Sequence, residues 1–146
     1  MKKLFFPILA VVALSNLCLQ CNRWEEVQPP PEADLGDTVE IGMQQSVFIQ
    51  PGDFRLTLDS VLDDSRCPLD VICVWEGRAD VRMVFALDQT TVTDTLGVGG
   101  QGAPWAPDSM SVLGYNIKLI DILPYPANSG VVIPQNDYKV KVVVTQ

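Results

Sequence analysis

The chain has 146 residues, with 10 basic and 18 acidic side chains and no histidine. Its net charge of −8 argues against nucleic acid as a partner, because a phosphate backbone repels an acidic protein. Without histidine, the chain alone cannot form a Ser-His-Asp or Cys-His catalytic system or a histidine zinc site.

Residues 1–20 have the features of a signal peptide. Lys2 and Lys3 precede an apolar run from Leu4 to Leu14, and no acidic residue occurs before Glu25. This run is too short for a good membrane-spanning helix, so cleavage and export are predicted. The exported part, about 125 residues, has the size of one domain. It keeps eight basic and 18 acidic side chains, a net charge of −10.

Two cysteines lie at the end of this segment, Cys18 and Cys21. A cysteine at this place resembles the bacterial lipoprotein signal, in which the cysteine becomes the lipid-modified first residue. Cys21 is the preferred site and Cys18 the alternative, although Gln20 and Leu17 stand where such signals prefer a small residue. The other interpretation is an ordinary secretory signal that is discarded with its cysteines. A CxxC redox or metal site is disfavoured, because no βαβ pattern follows.

Residues 21–37 form a segment rich in proline and acidic residues. The triplet Pro29-Pro30-Pro31 favours extended polyproline II and provides no backbone donors for a sheet. Glu25 and Glu26 resemble the acidic tags that direct lipoproteins to the outer face of the envelope in the Bacteroidota. The sequence thus predicts a linker that holds a domain at the outer membrane or cell surface.

The remainder, residues 38–146, shows short runs with a period of two, typical of β-strands. Ala79, Val81, Met83 and Phe85 alternate with polar residues, as do Tyr138, Val140, Val142 and Val144. No stretch keeps a helical apolar period for ten residues. These patterns predict an all-β fold, a single antiparallel β-sandwich of about seven or eight strands. The runs are Thr38–Ile41, Ser46–Gln50, Phe54–Leu62, Ala79–Phe85, Thr90–Leu96, Tyr115–Leu123 and Tyr138–Val144.

The segment 97–109 is the longest irregular piece, with four glycines and two prolines. Long loops of this kind are often functional. Trp105 lies inside it, and an apolar ring on a loop suits a carbohydrate or protein surface. Trp105 is therefore the candidate binding residue of this loop.

Cys67 and Cys73 form a second close pair, and in an exported protein a disulfide between them is expected. In the chain-entropy model, a loop this short contributes about 2.4 kcal/mol. The bridge is expected to stiffen the turn that enters a strand carrying Trp75, whose ring would pack behind it. Arg66 lies between Asp64 and Asp70, and an exposed ion pair with either acid would contribute at most about 1 kcal/mol.

The same stretch is part of a longer set of residues, Asp64-Ser65-Arg66-Cys67-Pro68, Val71, Cys73-Val74-Trp75, Gly77, Gly114-Tyr115, Ile117, Leu119 and Pro124-Tyr125-Pro126. This set resembles the pattern of a family of small exported proteins and lipoproteins common in the Bacteroidota. The resemblance covers 38–144 and implies a β-sandwich with this bridge, but no activity, substrate or catalytic residue. Glu76 departs from the pattern, where a small residue is expected.

The residues around the cysteine pair suggest three further kinds of site. The Cys-Pro loop could serve as a rigid protease-inhibitor loop. Four acids, Asp59, Asp63, Asp64 and Asp70, could surround calcium, but their spacing does not match an EF-hand loop and solvated acids are preferred. The adjacent carboxylates at 63 and 64 would point to opposite faces of a strand and would not converge for glycosidase chemistry.

Four Asp-Ser/Thr-apolar triplets resemble the O-glycosylation acceptor of exported Bacteroidota proteins. Thr38 and Ser109 are the preferred acceptors because they are predicted to lie in loops, and Ser60 is disfavoured because it lies within a strand.

The sequence thus favours a non-enzymatic envelope lipoprotein that needs no cofactor. It would serve as an accessory, structural or binding module, with an envelope protein or polysaccharide as partner. The alternative is a secreted binding or inhibitory module that recognises a protein or carbohydrate through residues 97–109.

Overall fold

The computed structural model describes residues 30–100 and 106–146. Within these ranges the chain is all-β, with nine strands and one 3-10 helix, Gln135–Asp137. The described part contains no helix that is long and apolar enough to cross a membrane. The strands are β1 (Glu32–Asp34), β2 (Thr38–Gly42), β3 (Ser46–Gln50), β4 (Phe54–Asp64), β5 (Arg78–Leu87), β6 (Thr90–Gly99), β7 (Ser109–Val112), β8 (Tyr115–Leu123) and β9 (Lys139–Thr145).

The strands form two packed sheets, which confirms the predicted β-sandwich. One sheet has the order β1-β3-β4-β5-β6, and the other has the order β2-β9-β8-β7. One pair departs from the predicted antiparallel pattern, since β1 runs parallel to β3, with Glu32 opposite Phe48. β1 also lies inside the segment that composition assigns to the linker. Three residues are too few to show an alternating pattern, so only pairing with β3 reveals this strand.

The core lies between the sheets and is made by the alternating apolar residues of the sequence. The inward side chains of β5 and β9 are buried, and each large apolar side chain removed from water contributes about 1.5–3 kcal/mol. Phe54 of β4 stacks on Tyr115 of β8 across the two sheets, with ring centroids 4.1 Å apart. Thus the period of two in the sequence selects the face on which the sheets meet.

One end of the sandwich carries the cysteine pair, and we call it the cysteine end. β4 ends there at Asp64 beside Ala79 of β5, and β8 ends there at Leu123 beside Lys139 of β9. Hydrogen bonds join the two connections, including Leu69 N to Pro126 O at 3.1 Å. The long connections β4–β5 and β8–β9 therefore lie side by side.

The irregular segment predicted for 97–109 is shorter than expected. β6 continues to Gly99, and β7 begins at Ser109. The glycines at 97 and 99 do not stop β6, because it pairs with β5 along its whole length.

Candidate functional site

The Cys67–Cys73 disulfide is present, with the two Cα atoms 5.9 Å apart, as the sequence predicts. It closes a ring within the β4–β5 connection, which we call the cysteine loop (residues 65–77). The backbone N–H of Cys67 donates to the carbonyl of Glu76 at 2.9 Å and completes the base of the loop. Gly77 has φ of +70°, and a Cβ there would overlap the carbonyl of Ser65. The loop is therefore fixed at its base as well as across its middle.

The expected position of Trp75 is wrong. β5 begins only at Arg78, so Trp75 lies in the cysteine loop, and 56% of its surface is exposed rather than packed behind the bridge. Its neighbours Ile72 and Val74 are fully exposed. A run of five apolar residues resembles a buried strand, but here the disulfide holds the backbone at Cys73, and the run pairs with none of the described strands.

A second exposed apolar segment lies beside the cysteine loop, in the β8–β9 connection. The carboxylate of Asp70 accepts hydrogen bonds from the backbone N–H and the hydroxyl of Ser129, at 2.8 and 3.0 Å. This pairing places Val131 and Val132 next to the cysteine loop, and both are exposed. Two separate connections therefore contribute to one surface.

We define the apolar surface as eight exposed side chains of these two connections. Within the described residues, ten large apolar side chains are exposed, and the two outside this surface are Leu62 and Ile120. A concentration of this kind marks an interaction site more often than scattered exposed residues do. The eight are Leu69, Val71, Ile72, Val74, Trp75, Tyr125, Val131 and Val132.

Arg66 anchors the apolar surface from beneath. Arg66 is only 6% exposed, and its guanidinium makes a two-pronged ion pair with Asp64, at 2.8 Å from Nε and 2.7 Å from Nη2. It also donates to the carbonyls of Ile122 and Pro124, the latter at 3.0 Å, and lies 4.9 Å from the ring centroid of Tyr125. The expectation of an exposed ion pair is therefore wrong, because β8 covers the guanidinium.

Asp64 and Tyr138 extend this buried polar group. Burial by itself raises the pKa of Asp64, but hydrogen bonds and charge from Arg66 outweigh it and leave the pKa below its ordinary value. The Tyr138 hydroxyl donates to Asp64 Oδ2 at 3.0 Å. Burial and the neighbouring carboxylate raise the pKa of Tyr138 to about 12. The group is therefore an Arg⁺–Asp⁻ pair capped by a neutral phenol.

Arg78 is a second buried arginine at the cysteine end. Its Nε donates to Asp80 Oδ1 at 2.9 Å, and its Nη2 donates to the carbonyl of Ala106 at 3.0 Å. Gly97 lies against this pair, and a Cβ there would overlap both side chains. Arg78 thereby holds the returning part of the β6–β7 connection. Sequence reasoning singled out neither the burial of this residue nor its partner.

The acids considered for calcium have different partners. Asp59 pairs with Arg82 at 3.7 Å, Asp64 pairs with Arg66, and Asp70 binds Ser129. In the part of the chain that the structure describes, no three His, Cys, Asp or Glu side chains form a group that could hold a metal ion.

Two small cavities flank Arg66. One of about 250 Å³ lies between the two connections and is lined by Asp64, Pro126 and Tyr138 among others. The other, of about 190 Å³, is lined by Glu76 and Asp121. Both are smaller than the clefts that usually hold organic ligands. At the cysteine end, the outer surface rather than a cleft is therefore the stronger candidate site.

The structure describes the two predicted O-glycosylation acceptors but not the cysteines predicted to carry a lipid. Thr38 and Ser109 are both exposed, but each is the first residue of a strand rather than part of a loop, because backbone pairing extends β2 and β7 to include them. The Ser109 hydroxyl donates to Asp108 at 2.9 Å. Cys18, Cys21 and Trp105 lie outside the described residues.

Sequence reasoning assigned none of the eight side chains to an exposed surface, and it did not single out Val131 or Val132 at all. The signal available was the run Val131-Val132-Ile133, which stands between Gly130 and Pro134 and is too short for a predicted strand.

Comparison of the chain with protein-family models, with curated proteins and with solved structures gives no match.

Proposed function

We propose that the protein is a non-enzymatic, exported envelope lipoprotein that acts as a binding module through the apolar surface. A lipid at Cys21, or at Cys18, would hold it to a membrane. The observation that carries this proposal is the concentration of eight exposed apolar side chains on two adjoining connections.

The rigidity of these connections supports a binding role. The disulfide, the Cys67–Glu76 hydrogen bond and the Asp70–Ser129 contacts restrict the backbone before any partner arrives. A surface that is ordered in advance loses less entropy on binding. Binding is favoured when a partner removes exposed apolar surface of this kind from water.

Residue chemistry also favours binding over catalysis. The chain has no histidine, and the charged groups beneath the apolar surface bind one another. Arg66 is occupied by Asp64 and two carbonyls, and Asp64 by Arg66 and Tyr138. These groups serve to fix the surface.

Fractionation of cells that express the native chain tests the anchored form. We expect recovery in the membrane fraction that requires detergent, and release of a Cys21→Ser variant into the soluble fraction. Cys18→Ser is the matched control and should stay with the membrane. Recovery of the native chain in the medium without detergent would contradict the proposal, and an intact mass at the N-terminus identifies the modified cysteine.

A second candidate is a secreted module that binds or inhibits a soluble protein. The exposed run Val71–Trp75, which the disulfide holds at Cys73, favours it, since a rigid, exposed loop suits insertion into a partner's groove. Pull-down from the medium with Ile72→Asp, compared with Trp105→Ala, separates this loop from the glycine-rich loop. If Trp105→Ala alone loses the partner, the contact belongs to residues 97–109.

A further inference from the structure

We propose that the apolar surface inserts into the interface of the same lipid bilayer that holds the N-terminal lipid. This inference rests on the proposed function, and it names the occupant of the surface as a zwitterionic lipid interface.

The direction of β1 shows from which end of the sandwich the preceding chain arrives. β1 runs parallel to β3, and β3 runs antiparallel to β4, which ends at the cysteine end. β1 therefore runs away from the cysteine end, and the chain preceding Glu32 comes from the side of that end. The carbonyl of Pro31, which accepts from Phe48 N at 3.0 Å, fixes this entry.

The length of the linker agrees with this direction. Phe48 is opposite Arg55, and the nine steps from Arg55 to Asp64 span about 30 Å at the usual rise of a strand. Glu32 is opposite Phe48, and the eleven steps from Cys21 to Glu32 can span at most about 38 Å. A linker stretched to this limit would bring Cys21 level with the cysteine end and only slightly beyond it. A lipid at Cys21 would place the membrane at the height of the apolar surface.

The composition of the surface suits a shallow position in the interface. Val71–Trp75 is a run of five residues without a charge, and Asp70 and Glu76 stand at its two ends. Trp75 and Tyr125 carry both an apolar ring and a polar group, the combination enriched at membrane interfaces. The flanking acids limit the depth to the run between them.

Charge selects the type of lipid. The exported chain carries a net charge of −10, and the described residues of the cysteine loop include no exposed basic side chain. Anionic headgroups would repel such a surface, so insertion is expected into zwitterionic phosphatidylcholine and is weakened by anionic phosphatidylglycerol. The same charge disfavours a second copy, because the acidic rims of two apolar surfaces would face each other.

Quenching of tryptophan fluorescence by lipid tests the insertion in the full chain. The protein is purified from membranes and reconstituted in phosphatidylcholine vesicles whose acyl chains carry bromine. Trp24→Phe with Trp105→Phe leaves Trp75 as the sole tryptophan. We expect brominated lipid to quench most of its emission, with a shift to shorter wavelength and poor access for iodide.

A matched control keeps the N-terminal lipid and moves the sole tryptophan away from the apolar surface. Trp75→Phe with Ile120→Trp, in the same background, places the sole tryptophan on β8, where the native side chain is half-exposed. Its emission should respond to iodide and not to brominated lipid. Ile72→Asp in the Trp75 chain should abolish most of the lipid quenching, and in chains with Cys18→Ser and Cys21→Ser it should weaken vesicle binding about tenfold or more.

The outcomes separate this inference from the proposed function. A chain that needs detergent for release but leaves Trp75 open to iodide overturns the inference and leaves the lipoprotein intact. A co-purified protein that shields Trp75, with no quenching by brominated lipid, also overturns it. A native chain recovered without detergent overturns the anchored function itself. Equal binding to phosphatidylcholine and phosphatidylglycerol vesicles refutes the charge argument on which the inference depends.

Discussion

Replacing Arg66 by Met should destabilise the domain far more than replacing an exposed basic residue. Met keeps much of the apolar stem and removes the guanidinium, which leaves the Asp64 carboxylate without its counter-charge and two carbonyls without their donor. Removing one partner of a buried ion pair typically costs about 3–5 kcal/mol. The loss of the Tyr125 contact, at 4.9 Å, adds to this.

Urea unfolding followed by far-UV circular dichroism, with the disulfide intact, measures this change. The matched control is Lys139→Met, which breaks the exposed pair between Lys139 and Glu40, whose atoms lie 2.8 Å apart. Exposed pairs contribute at most about 1 kcal/mol, so the control should remain close to the native chain.

The pH dependence gives the sharper test. In Arg66→Met, the pKa of Asp64 should rise, since burial then acts without the opposing charge. Asp64 of the variant takes up a proton as the pH falls, which removes the unpaired buried charge. The difference in free energy of unfolding between the variant and the native chain should therefore shrink between pH 7 and pH 3. Asp64→Asn in the same chain should remove part of the deficit at pH 7. A loss below about 1 kcal/mol at pH 7, or one that is independent of pH, would refute the reasoning.

Three further results are expected. Because folding lowers the pKa of Asp64, this carboxylate stabilises the fold above its ordinary pKa of 3.8, and that stability is lost as the pH falls through the folded pKa. Because folding raises the pKa of Tyr138, the free energy of unfolding should decline from pH 10 to about 12. Tyr138→Phe should remove this alkaline decline, as measured by urea midpoints. Cys67→Ser with Cys73→Ser should lower the free energy of unfolding by about 2.4 kcal/mol, and an unchanged midpoint would show that the bridge constrains nothing. Gln135→Ala should lower the free energy of unfolding by about 1–3 kcal/mol, because the Gln135 amide binds both the backbone N–H and the carbonyl of Val61, at 3.1 and 2.8 Å. Gln45→Ala is the control and should lower it less, because the Gln45 amide binds one backbone N–H.

Much of the fold could be predicted because its strands are long and alternate clearly. β5 and β9 place every second residue in the core, as their apolar pattern indicates. β1 and β7 were missed, since three or four residues show no period and depend on a neighbouring strand for their hydrogen bonds.

The candidate site was predicted only in part. The spacing of Cys67 and Cys73, together with the export expected from residues 1–20, was enough to predict their bridge. The exposure of Trp75 could not be predicted, because an apolar run gives the same signal in a buried strand and in a projecting loop. The burial of Arg66 depends on carbonyls 56 and 58 positions away in the chain.

The sequence by itself determined the β-sandwich class, the core faces and the disulfide, because each of these follows from local period or from close spacing. Only the tertiary structure decided that the cysteine loop and the β8–β9 connection meet at one end and expose a shared apolar surface. That meeting depends on Arg66, Asp70 and their distant partners, and contacts between residues so far apart leave no periodic trace in the chain.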